Sequence, residues 1–445
     1  LAGKSGQAAA MTDATPADAS RDAPGLAARA AALDLLSAAL SRRAGLDEAL
    51  AHPALKTLSP RDRAFARALT MATLRHLGPI DAALQARLAK PPPERVVNML
   101  RLGAAQLFVM KTPPHAAVGT TVDLAAADKG TRPLKNLVNA VLRGLTREPP
   151  DLADPDLLPP TWLYARWQAA YGPDAARGIA AQIADEPPTD LSLRDPTTAA
   201  DLAQALSAEL LPGGTLRTSL KGEVASWPGF ADGTWWVQDA SAAVPARLLG
   251  PAPGQTALDM CAAPGGKTLQ LAALGAEVTA LDKSPGRIKR VGENLARTGL
   301  KAEVVATDAA AWPDRRQFDA VLLDAPCSAT GTFRRHPDVL WAAKPSDIAS
   351  LAAVQSRLLD SARRRVKPGG RLVYCVCSLE PEEGQVQVDA FLSRAPEFAV
   401  EPIQLGEGGA PEASLTAQGA LRILPHHRPG GLDGFFIARL RRADG

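Results

Sequence analysis

Three of the four cysteines in this 445-residue chain fall in two short segments: Asp324-Ala325-Pro326-Cys327 and Tyr374-Cys375-Val376-Cys377-Ser378. Each segment closes a run of apolar, β-branched residues, so each is expected to place a thiol at the carboxyl end of a strand. Two such thiols suit a two-step covalent reaction. One sulfur adds to an electrophilic carbon as a thiolate, and a second group moves a proton when the adduct must be released. Cys375 shares a face with Cys377 but lies one step nearer the core, and is expected to be a small buried hydrophobe.

The fourth cysteine lies in Asp259-Met260-Cys261-Ala262-Ala263-Pro264-Gly265-Gly266-Lys267-Thr268. A glycine-rich turn at the end of a strand lets backbone N–H groups and a helix N-terminus approach a ligand. A phosphate loop is excluded, because that motif needs glycine five residues before Gly266, where Cys261 stands. Asp282, Asp308 and Asp324 end the three following strands, and Asp282 is placed to accept hydrogen bonds from ribose hydroxyls. Carboxylates in register repel a pyrophosphate but fit a cofactor without phosphates, such as S-adenosylmethionine. Cys261 is expected to be a core or loop thiol beside that cofactor. Cytosine C5 is too weakly nucleophilic to take a methyl group directly, whereas a thiolate added at C6 makes C5 enamine-like. The thiols and the cofactor turn together therefore point to covalent methyl transfer to a pyrimidine. Asp324 could accept from the cytosine amino group. Arg334-Arg335-His336 reads either as a set of phosphate contacts or as a solvated loop.

The elements that must position these groups follow from the apolar patterning. Residues 1–24 are rich in Ala, Ser, Asp and Thr and are expected to be a disordered tail, with Met11 the natural start. Residues 25–150 show helical periodicity, broken at Ser59-Pro60, Pro91-Pro92-Pro93 and Pro113-Pro114, and predict an all-α bundle of four or five helices. Residues 151–235 predict a linker and a small α+β module. It contains a helix from Trp162 to Ala181, a strand over Thr189 to Arg194, a helix from Thr198 to Leu210 and short strands towards Trp227. From 236 to 445, strands over 256–259, 277–281, 303–306, 320–323 and 371–374 alternate with helices and predict a mostly parallel sheet. Gly434 to Leu440 predicts a final antiparallel strand.

Charge is uneven. Residues 25–150 hold 18 Lys and Arg against 9 Asp and Glu, while the whole chain is only +3. Such a bundle can carry phosphate-backbone contacts or simply a solvated arginine face. No apolar run reaches the roughly 18 residues needed to span a bilayer, and no secretory signal is visible, so a cytoplasmic location without membrane contact is expected. The sparse thiols argue against a disulfide framework, and Cys375-Val376-Cys377 lacks zinc-ligand spacing, so no metal is expected.

At these motifs the chain resembles the RsmB/Nop/Sun family of RNA cytosine-C5 methyltransferases over nearly its whole length. Cys261 to Lys267 is similar to the family's S-adenosylmethionine loop, Asp324 to Gly331 to its fourth motif, and Cys377-Ser378 to its Thr-Cys-Ser motif, with Val376 in place of threonine. Val237-Gln238-Asp239-Ala240-Ser241 is similar to the start of its catalytic domain. The resemblance implies a Rossmann-like S-adenosylmethionine-dependent domain, with Cys377 as nucleophile and Cys327 serving product release. It implies that Cys261, Ala262, Ala263, Pro264, Gly265, Gly266, Lys267, Asp282, Asp308 and Asp324 contact the cofactor. The basic bundle resembles the NusB fold, an RNA-binding module, with Lys111 to Ala117 and Leu137 to Arg143 similar to the corresponding segments of the family's RsmB members, and this pairing narrows the implied substrate to small-subunit (16S) ribosomal RNA; a monomer is expected. Transfer RNA methylation and a non-catalytic assembly factor are the alternatives. Intact thiols favour catalysis over the last of these.

Overall fold

The computed structural model describes residues 25–41 and 45–444. The tail expected over 1–24 lies outside them. Two compact units meet between Asp154 and Pro155.

The first unit is helical. Eight α-helices occur among its described residues: Leu26–Ser41, Gly45–Leu50, Pro53–Lys56, Pro60–Arg75, Leu77–Gln85, Glu94–Phe108, Pro114–Ala127 and Lys135–Arg147. The proline breaks fall where expected. Ser59 accepts from the Asp62 N–H, and Pro60 occupies the first helical position, where its missing N–H costs nothing. The count exceeds four or five because two helices are one or two turns long and another break, at His76, has no proline to announce it. Gly103 allows two helices close approach, since a Cβ there would lie 2.7 Å from Leu142 Cδ1. Part of the positive surplus is spent internally: Arg101 forms a bidentate pair with Asp81, and Arg95 bridges Asp34 and Asp128. Lys129, Arg132, Lys135, Arg143 and Arg147 stay exposed around the last helix.

The second unit opens with helices Thr161–Tyr171 and Pro173–Ala181, where one helix was expected. Gly172, at φ 81°, with Pro173 after it, ends the first and starts the second. Strands β1 (Thr189–Leu193), β2 (Ala208–Leu210), β3 (Leu216–Thr218) and β4 (Trp235–Val237) form an antiparallel sheet in the order β2-β3-β1-β4. The helix expected to reach Leu210 stops at Ala205, because residues 208–210 pair with β3 instead and tertiary pairing overrides helix propensity. Trp227 lies outside any strand and packs against Trp235, which opens β4.

The larger sheet contains β5 (Thr256–Met260), β6 (Glu277–Asp282), β7 (Glu303–Ala306), β8 (Phe318–Asp324), β9 (Val366–Val376), β10 (Phe398–Val400), β11 (Leu421–Ile423) and β12 (Phe435–Arg442). Its order is β10-β12-β9-β8-β5-β6-β7, with β11 on β12. Strands β5 to β9 are parallel, and β12 runs antiparallel to β9, as its sequence predicted. The short strands β10 and β11 were not visible in the sequence. The chain winds outward from β5 through β7, then returns to place β8 on the other side of β5. The ends of β5 and β8 thus flank the topological switch point, where open α/β sheets bind ligands.

Candidate active site

The turn after β5 is built to approach a ligand with its backbone. Cys261 and Gly265 have positive φ (66° and 109°), the Ala263-Pro264 bond is cis, and Gly266 begins the helix Gly266–Ala273. The turn is fastened to β6: Ala262 N–H donates to Leu281 O at 2.8 Å, and Ala263 N–H to Asp282 Oδ2 at 3.2 Å. Asp282 also accepts from Ser284 N–H and is 3% exposed. Beneath the turn, Asp259 accepts from Thr268 Oγ1 at 2.6 Å, while its other oxygen is buried with no hydrogen-bond partner. Burial, reinforced by the charges of Asp324 and Asp282, pushes the Asp259 carboxyl up to about 7. Burial likewise pushes the Cys261 thiol up.

Asp308, two residues past β7, is more exposed. The Ala310 N–H, ahead of Lys283 at 3.2 Å, holds its carboxyl below the usual range. At the end of β8, Asp324 Oδ2 receives Lys267 Nζ at 2.7 Å. Burial opposes the Lys267 charge, but Asp324 outweighs it and raises the ammonium pKa. Lys267 also lies over the Phe435 ring, 5.4 Å from its centroid.

The thiols meet. Asp324 stands opposite Cys375 in the β8–β9 register, and beyond these residues Cys327 Sγ and Cys377 Sγ lie 3.5 Å apart. Cys327 is 7% exposed and Cys377 is half-buried. The hydrogen bond with Cys377, then burial, pushes the Cys327 thiol well up. Cys375 is fully buried, as its position predicted, with Sγ 3.4 Å from Asp324 Oδ1. Val376 is buried in the cluster of Leu323, Tyr374 and Phe436, so its methyl groups serve this position by packing.

Arg334 and Arg335 do not face phosphates, nor do they form a solvated loop. Arg335 Nη2 donates to Asp239 Oδ2 at 2.6 Å and Nε lies 3.3 Å from Asp433, with Asp190 at 3.9 Å. Arg334, 2% exposed, lies within 4 Å of Asp239 and Asp433 and donates to Gly430 O. Asp190 in turn holds Arg217 bidentately across β1 and β3. This buried network ties the turn after Cys327 to the small sheet, to Asp239 at the N-terminus of helix Ala240–Leu249, and to the loop before β12. His336 is exposed. Sequence patterning did not single out Asp433 and marked Gly434 only as the start of the final strand, yet Gly434 N–H donates to Gly331 O while Gly331 N–H donates to Cys377 O. A Cβ on Gly331 would fall 2.2 Å from Gly434 O, so glycine is required there. The glycine preceding the aromatic pair Phe435-Phe436 was the available signal.

Comparison with known proteins agrees with this fold. Residues 246–441 match the family model described as 16S rRNA methyltransferase RsmB/F, and residues 26–147 match the NusB family. The ribosomal RNA small subunit methyltransferase B of Xylella fastidiosa is 40% identical over 432 residues, 94% of this chain and 98% of that protein. Its counterpart from Salmonella arizonae is 38% identical over 410 residues, 87% of this chain and 92% of that protein. The crystal structure of PH0851 shares the fold with a TM-score of 0.76 at 23% identity, covering 95% of this chain and 99% of that one. With a NusB-family domain ahead of a parallel sheet that brings two thiols together beside a glycine-rich turn, the chain belongs to the RsmB/F family of 16S rRNA methyltransferases.

Proposed function

We propose that this protein transfers a methyl group from S-adenosylmethionine to C5 of a cytosine in 16S ribosomal RNA, through a covalent bond between a cysteine and C6. The contact of Cys327 and Cys377 at 3.5 Å on adjacent strand ends carries this reading. The residues present fit the cofactor: an unpartnered buried oxygen on Asp259 and carboxylates on Asp282 and Asp308 suit a ligand with hydroxyls, an amine and a sulfonium charge, and they oppose a pyrophosphate. The turn from Cys261 to Lys267 would hold it, and when bound it supplies an electrophilic methyl group.

Cys377, the more accessible thiol, attacks C6 as the thiolate and sends the electron pair to C5. Asp324 accepts from the exocyclic amine, and Lys267 fixes its orientation. Once C5 carries the methyl group, its proton passes to solvent water, the C5–H electron pair forms the C5–C6 double bond, the C6–sulfur bond breaks, and the electron pair of that bond returns to Cys377. Cys327, in contact with that sulfur, assists this release. Bisulfite sequencing of 16S ribosomal RNA from a deletion strain tests the reading: a lost signal at one cytosine is expected. An unchanged ribosomal pattern with a lost transfer RNA signal would reassign the substrate, and no change in either would favour an assembly factor.

Asp282→Ala is expected to lower S-adenosylmethionine affinity severalfold or more by calorimetry, since the substitution removes an acceptor and frees the Ala263 and Ser284 N–H groups. Unchanged affinity would remove Asp282 from the site. For the helical unit, replacing Lys135, Arg143 and Arg147 together by glutamine is expected to weaken ribosomal RNA binding and flatten its dependence on salt, because each phosphate contact releases about one counterion. Equal affinity across a salt series would assign the unit another role.

A further inference from the structure

The segment Glu380-Pro381-Glu382-Glu383 carries three acidic side chains in four residues, and two of them, Glu380 and Glu383, are fully buried. Glu383 Oε1 accepts from Ser328 N–H at 2.9 Å and from Gln355 Nε2 at 3.1 Å. Its Oε2 accepts from Ser328 Oγ at 2.5 Å and Ser378 Oγ at 2.6 Å. Gln355 Nε2 also donates to Pro326 O at 2.9 Å, and Tyr374 OH donates to the Glu383 carbonyl at 2.6 Å. Pro326 and Ser328 bracket Cys327, and Ser378 follows Cys377. One carboxylate therefore gathers the turns that carry both thiols.

We propose that Glu383 is a positioning residue for the reaction, holding Cys327 and Cys377 in contact by tying the turns on either side of them to a single acceptor. The inference rests on the covalent reading above. A carboxylate is the group the site demands, because four donors converge on it and it offers only acceptors; an amide of the same shape would turn an N–H₂ against some of them. Its charge has a second consequence. Standing beside Cys327, it adds to the Cys377 hydrogen bond, burial and the Cys377 charge in opposing a thiolate on Cys327. When Cys377 is the thiolate, Cys327 thus keeps its proton and donates its S–H to the nucleophilic sulfur. The pair is ordered into one nucleophile and one proton carrier.

The test compares full-length Glu383→Gln with wild type by turnover on ribosomal RNA, by S-adenosylmethionine calorimetry, and by pH titration of isotope-labelled cysteine β-carbons in NMR. Turnover is expected to fall about tenfold or more, with KM for RNA and cofactor affinity within about twofold, and the Cys327 thiol is expected to titrate at lower pH than in wild type. Unchanged turnover overturns the proposal. So does a loss of turnover with the Cys327 titration unmoved, which would make Glu383 scaffold alone. If Glu383→Gln does not fold, Ser378→Ala withdraws one donor from Glu383 and one acceptor from the Glu380 N–H with little change in volume, and is expected to lower turnover severalfold in a protein that still folds, with a lowered melting temperature. Wild-type turnover in that variant overturns the proposal. Absence of C5 methylation by the wild-type enzyme would instead refute the covalent reading, while the titration, which needs no RNA, still decides the hold of Glu383 on Cys327.

Discussion

Cys377→Ala is expected to give neither methylated RNA nor a covalent complex, whereas Cys327→Ala is expected to methylate its RNA once and remain bonded to it. The difference follows from sequential tasks for two sulfurs 3.5 Å apart. Removing the nucleophile abolishes every later step, and removing its partner stops only the release. Denaturing gels with labelled RNA separate the cases: a slow-migrating species in the Cys327 variant alone is the expected result. A persistent adduct in the Cys377 variant with none in the Cys327 variant would reverse the roles. Adducts in neither variant nor wild type would count against covalent catalysis.

The second large effect concerns stability. Arg335→Met is expected to destabilise the second unit by about 3–5 kcal/mol, because the lost guanidinium leaves Asp239 and Asp433 buried and under-compensated. The pH dependence has a definite sign. Burial alone would raise the Asp239 pKa, but Arg335, the Ser241 hydroxyl and Arg334 together hold it well below the usual carboxylate range. A depressed folded-state pKa contributes stability that is present above the unfolded value, near 4, and is lost as pH falls through the folded one. Asp433 behaves oppositely. Burial and the Asp239 charge raise it to about 7, so its neutral form favours the fold and that contribution fades as pH rises from about 4 to 7. Without Arg335 both carboxyls resist ionisation more strongly. The gap between variant and wild type in thermal or urea melts should therefore be widest at neutral pH and narrow as the solution is acidified. A gap that is constant with pH would mean that the arginine acts by packing rather than by charge.

The identity of most elements was legible because their signals are local. Strand β7 runs from Glu303 to Ala306, as its β-branched pattern predicts, and proline punctuation at Pro60 and Pro114 marks true helix starts. Both thiols, the glycine turn and the strand-end carboxylates were found because spacing along the chain reports position at a strand end, and in a parallel sheet the strand ends converge. Elements with weak local signals were missed, such as the three-residue strands β10 and β11, which exist through their pairing with β12.

What the sequence determined by itself is therefore the chemistry on offer: which groups stand at the ends of which strands, and that a basic helical unit precedes them. Only the tertiary structure decided which polar residues are exposed. Arg334 and Arg335 read as phosphate contacts or a solvated loop until Asp239 and Asp433 arrive from 96 and about 100 residues away, and Glu383, which sequence patterning did not single out, is buried against Ser328 from 55 residues away. Burial of a charge is tolerable only with partners of the right sign and geometry, and those partners come from segments remote in sequence. Local patterning records the propensity of each segment. The distance of 3.5 Å between two sulfurs, and the carboxylate that holds the turns around them, exist only once the strands and turns have closed on one another.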